Sequence, residues 1–77
     1  VKIVPYSQIV AENIKKLREE KGLEAQAFAE QLGLTKQAVN NYDSGRRKWP
    51  IDMLPRVADL LGVSIEYIYG RENRPTD

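Results

Sequence analysis

Apolar residues recur along this chain at intervals of three and four, in short bursts, and a glycine follows each burst. That spacing places side chains on one face of an α-helix. Val10, Ile14 and Leu17 form such a stripe within 7–21, with Lys15, Lys16, Glu19 and Glu20 largely off it. Ser7, following Pro5, is its expected N-cap. Ala25, Phe28, Ala29 and Leu32 form the inward face of a second helix over 24–32. Leu54, Val57, Leu60 and Leu61 do the same for a fourth. Pro50 suits a helix start, but Pro55 beyond the first turn would remove a hydrogen bond. The fourth helix should therefore begin near Asp52 or Met53 and run to Leu61. A short fifth helix over 64–69 takes Ser64 as cap and turns Ile65 and Ile68 inward. Gly22, Gly33, Gly45, Gly62 and Gly70 each stand where a helix would close. The pattern predicts an all-α, five-helix fold. Gly33 and Leu34 leave a turn so short that the second and third helices must cross steeply.

The third helix, 35–44 with Thr35 as N-cap, sorts its residues differently. On a wheel of about 100° per residue, Lys36, Gln37, Asn40, Asn41 and Ser44 fall within an arc of about 140°. Ala38, Val39 and Tyr42 occupy a separate arc of about 100° on the opposite side. One side can pack down. The other carries amides, a lysine and a hydroxyl, the groups that base edges in a DNA major groove call for: Asn or Gln pairs with adenine, Lys with guanine. A merely solvated face would be richer in Glu and Lys, because Asn is a poor helix former.

Charge sharpens this picture. The chain carries +1 overall, yet Lys36, Arg46, Arg47 and Lys48 stand against Asp43 alone within 34–50, a local +3 that leaves the remainder at −2. Beside the amide face, Arg46-Arg47-Lys48 reads as a phosphate clamp. At 77 residues and 42% hydrophobic content the chain supports one small domain and a single core. It contains no cysteine and no histidine. The commonest thiolate and imidazole metal sites and the commonest general base are therefore missing, and neither a metal, a cofactor nor an enzymatic activity is expected. The five closing glycines leave none for a phosphate-cradling GxGxxG loop. No apolar run of ~18 residues is present to cross a membrane. No signal-like leader opens the chain, and Val1 suggests a processed chain or a fragment; a cytoplasmic location is expected. Residues 1–6 read as an N-terminal arm, 7–70 as the domain, and 71–77 as a polar tail or linker.

The strings IKKLREEKGL, AFAEQLGLTKQAVNNYDSGRR and VADLLGVSIEYIYG, in this order, resemble the Cro/repressor (XRE-like) helix-turn-helix family over about residues 9–70. The resemblance implies a compact repressor-like DNA-binding domain with its helix-turn-helix at helices 2 and 3. It implies base reading by Lys36, Gln37, Asn40 and Asn41, and phosphate contacts from Thr35, Ser44, Arg46, Arg47 and Lys48. It also implies a structural clamp between Arg18 of the first helix and the end of the third. Asp43 stands where the family often has glutamate, so a looser or water-bridged pair is expected. Glu24 and Ala25 occupy positions where relatives often carry a capping residue followed by a phosphate-contacting Gln; Gln26 is the nearest replacement. Trp49 is expected to pack the basic loop onto the fourth helix or to join a dimer contact. Tyr67 is expected in the core, and Tyr69 with the surface of helices 4 and 5 in self-association.

The function so implied is sequence-specific binding of a double-stranded DNA operator, as a homodimer, by a phage-type or bacterial transcriptional regulator, most simply a repressor. The alternative is a protein-interaction module on the same fold, antitoxin-like or an antirepressor partner, motivated by Glu24, Ala25 and the small net charge.

Overall fold

The computed structural model describes residues 5–71. Five α-helices follow in order: α1 (Tyr6–Glu20), α2 (Ala25–Leu32), α3 (Lys36–Asp43), α4 (Leu54–Leu61) and α5 (Ile65–Ile68), with a 3-10 turn, Ile51–Met53, leading into α4. No strand occurs among the described residues. The apolar stripes converge on one core. Val10, Ile14 and Leu17 of α1 meet Phe28 and Leu32 of α2, Val57 and Leu61 of α4 and Ile68 of α5. Burying side chains of this size is worth roughly 1.5–3 kcal/mol each, the main force holding so short a chain together.

The helix boundaries follow local chemistry, with corrections. The N-cap of α1 is Pro5, not Ser7. Its carbonyl accepts from the backbone N–H of Gln8 at 3.0 Å and of Ile9 at 3.3 Å. The ring holds φ at −62° with ψ at 143°, an extended residue poised for helix entry, so Ser7 lies inside the first turn. Tyr6 is thus helical and not part of an arm; residues 1–4 lie outside the described set, as do 72–77 of the expected tail. The start of α4 settles at Leu54, and Pro55 lies in its first turn, where the missing N–H leaves no bond unmade. Ser64 caps α5 by accepting from Tyr67 N–H at 3.0 Å. Ile68 is fully buried and Tyr67 is half-buried against the core, while Ile65 is 38% exposed rather than inward. Ala58 joins the core of α4 and Leu60 is only half-buried.

The turn between α2 and α3 depends on Gly33, at φ +74°. In that conformation the Leu34 N–H reaches back to the Ala29 carbonyl at 2.8 Å and the Gly33 N–H to Glu30 at 3.3 Å. Both bonds satisfy carbonyls that a helix end leaves open. Thr35 then caps α3, its side chain accepting from Ala38 N–H at 3.1 Å. At the far end of the chain, α5 is pinned to α1. Asn13 Nδ2 donates to the Ile68 carbonyl at 2.9 Å, and the rings of Tyr6 and Tyr69 meet edge-on at 5.7 Å between centroids. Gly70 sits so close to α1 that a Cβ there would come within 3.1 Å of Ile9 Cγ2.

Nothing lies within 4 Å of a Cβ added at residue 33, so Gly33→Ala probes backbone strain alone. It is expected to destabilise the domain by about 1–2 kcal/mol in urea unfolding. An unchanged midpoint would show that the left-handed turn is not required.

Candidate nucleic-acid interface

The helix α3 lies half in and half out of the molecule. Val39 is fully buried, and Ala38 and Tyr42 are half-buried. Lys36, Gln37 and Asn40 are exposed, Asn41 is half-buried, and Ser44 is exposed just past the helix end. The ridge of amides thus faces outward along one side. It has internal order: Gln37 Nε2 donates to Asn41 Oδ1 at 3.2 Å, and Ser44 Oγ donates to the Asn41 carbonyl at 3.2 Å.

The loop that follows is tied to the same helix. The Arg47 N–H donates to the Asn41 carbonyl at 3.2 Å, so the loop folds back over the last turn of α3. The Trp49 ring is buried and lies on Tyr42, with centroids 4.5 Å apart and planes tilted by 33°. It also meets the Phe28 ring edge-on at 6.2 Å. Its ring partners lie on α3 and α2, and it belongs to the same buried cluster as Leu54 and Val57 of α4. Between these two attachments Arg46, Arg47 and Lys48 project into solvent. The cations and the amide ridge are brought to one end of α3.

Gln26 is on α2, not on this ridge. It is exposed in the first turn of α2, and its Nε2 donates to Glu30 Oε2 at 3.0 Å. Glu24 occupies the N-cap of α2 without a side-chain capping bond. The first two turns of α1 were missed by the sequence pattern as neighbours of the loop. Ser7, Gln8 and Glu12 line a shallow groove with Ser44, Arg47 and Lys48. Nothing in helical periodicity announces a juxtaposition some forty residues long-range; only the packing of α1 against α3 creates it.

The end of α3 is held from inside by charge. Arg18 Nη2 and Asp43 Oδ2 are 2.8 Å apart, with both side chains about nine-tenths buried. Arg18 Nη1 also donates to the Leu23 carbonyl at 2.8 Å, which ties in the turn between α1 and α2. The pair is direct, not loose or water-bridged. The close approach of α1 and α3 removes the slack that the shorter aspartate would otherwise leave.

A family model described as helix-turn-helix matches residues 14–68. The chain is 35% identical over 63 residues to the uncharacterized HTH-type transcriptional regulator YqaE of Bacillus subtilis, covering 82% of this chain and 54% of that protein. It spans about half the length of the curated relatives it matches. Among solved structures it is similar to hydroxypropylphosphonic acid epoxidase from S. wedmorenis, with 32% identity, a TM-score of 0.73, and coverage of 80% of this chain and 33% of the epoxidase. It shares its fold with the P22 c2 repressor, solved in complex with synthetic operator 9T, at 16% identity and a TM-score of 0.72, covering 82% of this chain and 96% of that one.

Breaking a buried ion pair from one side leaves the other charge stranded. Asp43→Ala is therefore expected to cost about 3–5 kcal/mol in urea unfolding. The apolar double replacement Arg18→Met with Asp43→Leu should recover most of that loss. A double variant no more stable than the single would show that the pair contributes net stability rather than position.

Proposed function

The chain belongs to the helix-turn-helix family, and on that premise we propose that it is the double-stranded DNA-binding domain of a transcriptional regulator, a repressor that inserts α3 into the major groove. The observation that carries this reading is the division of α3. Val39 is sealed in the core while Lys36, Gln37 and Asn40 stand in solvent beside three unburied cations. Asparagine and glutamine side chains match adenine edges, and lysine matches guanine. In this reading Lys36, Gln37, Asn40 and Asn41 read bases. Thr35, Ser44, Arg46, Arg47 and Lys48 grip the phosphate backbone, with Gln26 touching it from α2. Phosphate contacts set position and salt-dependent affinity, whereas base contacts set sequence.

The domain acts as a twofold homodimer on half-sites about one helical turn, roughly 34 Å, apart. It works in the cytoplasm, on chromosomal or phage DNA; no helix among the described residues is long and apolar enough to cross a membrane. The chain itself is not catalytic in this reading. The partial match to the epoxidase covers one third of that enzyme, so a domain of this kind also stands beside other units in a longer protein. Exposed Glu24 at the head of α2 supports a second reading, a protein-interaction module, since a carboxylate there repels a phosphate docked in the usual way.

Selection of bound duplexes from a random pool at two salt concentrations tests the proposal. A defined preference should emerge, and total affinity should fall with salt. Asn40→Ala is expected to relax one base position at a cost of about 1–3 kcal/mol. Arg47→Ala should weaken every sequence alike and reduce the salt slope by about one. Equal, sequence-blind losses from both variants would defeat this division of labour. Failure to retain any duplex at low salt would favour the protein-interaction module.

A further inference from the structure

The amides of α3 are not independent. Gln37 and Asn41 leave the helix one turn apart on the same side, and Gln37 Nε2 donates to Asn41 Oδ1 at 3.2 Å. An isolated asparagine offers a base either its carbonyl oxygen or its amide hydrogens, depending on which way the group is turned. Here the oxygen is turned toward Gln37, with one of its two lone pairs taken, so the side of the amide that Asn41 turns away from Gln37 is Nδ2–H. Gln37 in turn keeps Oε1 as an acceptor. The main chain of Asn41 is equally fixed, since its carbonyl receives Ser44 Oγ and the Arg47 N–H, each at 3.2 Å. Asn41 is also half-buried, whereas Asn40 is exposed and has more room to turn.

We propose that Gln37 sets the hydrogen-bond polarity of Asn41, so that α3 reads DNA through an amide couple with a fixed direction. Asn41 donates to base acceptors in the major groove: N7 of either purine, guanine O6 or thymine O4. It discriminates against cytosine, whose N4 amino group is a donor there. Gln37 Oε1 accepts from a base amino group, adenine N6 or cytosine N4. Gln37 thus acts partly as a positioning residue, deciding the preference at a base it need not touch. This inference rests on the DNA-reading role proposed above.

The discriminating variant is Gln37→Glu. A carboxylate has no hydrogen to give Asn41 Oδ1, and it accepts from Nδ2 instead. Asn41 must then turn its oxygen outward and favour a base donor. Duplex selection with the unmodified domain, Asn41→Ala, Gln37→Ala and Gln37→Glu reads this directly. Asn41→Ala identifies the base that Asn41 contacts, by erasing a preference of about 3–10-fold, the size one neutral hydrogen bond supplies. At that base Gln37→Ala should flatten the preference, and Gln37→Glu should invert it toward cytosine. The added negative charge lowers affinity for all duplexes, so the relative preference is the quantity read. Helical signal and thermal midpoint confirm that each variant is folded. Three results would overturn the couple: an unchanged preference at Asn41's base in both Gln37 variants, a flattening without inversion in Gln37→Glu, or no base affected by Asn41→Ala. Those results leave specific binding by the unmodified domain intact. Absence of any sequence preference in the unmodified domain would instead remove the DNA-reading role itself, and the couple with it.

Discussion

The helix α3 has very little surface with which to hold itself in place. Eight residues long, it buries one side chain completely, Val39, and Ala38 and Tyr42 only in part. A buried valine is worth roughly 1.5–3 kcal/mol, too little to fix the position and tilt of a helix whose other face must stay free. Everything around α3 compensates for that. At its entrance, Gly33 and the Thr35 cap set the angle. At its exit, the buried Arg18–Asp43 pair ties it to α1, and Trp49 stacked on Tyr42 ties the basic loop to it. The polar and aromatic anchors hold the helix at its ends because its middle is committed outward.

The ion pair illustrates position obtained at some cost in energy. Desolvating two charges is expensive, and an apolar pair of similar volume often serves stability as well or better. Arg18 Nε and Asp43 Oδ1 add to that cost, being buried without a hydrogen-bond partner among the described residues. What the pair contributes is direction. A guanidinium that donates at once to Asp43 and to the Leu23 carbonyl fixes α3 relative to both α1 and the turn before α2. Displacement of α3 by an ångström would break a short, oriented contact, whereas an apolar contact would slide.

Helix α1 is the strut on which these attachments converge. Its C-terminal half holds α3 through Arg18, and its N-terminal half holds α5 through Asn13, Tyr6 and Ile9. Arg71, just beyond α5, donates to the Tyr6 hydroxyl at 3.3 Å and lies 3.6 Å from Glu66. The last described residue is thereby returned to the first turn of α1. The two ends of the domain are neighbours, and the interface on α3 is joined to both through one continuous helix.

Much of this was legible from residue order because it is local. Periodicity located all five helices, glycine and serine marked their ends, and the position of Pro55 led correctly to a later start for α4. The separation of the amide face from Val39 and Tyr42 followed from helical geometry alone. Local rules failed where neighbours decided the outcome. Ser7 lost the cap to Pro5, whose fixed φ suits helix entry, and Ile65 stayed outside because Ile68 and Tyr67 are the α5 side chains that pack on the core. The direct contact of Arg18 with Asp43, the seat of Trp49 on Tyr42 and Phe28, and the groove joining the first two turns of α1 to the basic loop belong to tertiary structure. Each depends on the distance between segments remote in the chain, which residue spacing does not encode. The sequence by itself determined which side of each helix could be buried, through the 3.6-residue repeat. Only the packed molecule decided which buried groups meet and at what distance, because that is set by the whole core closing at once.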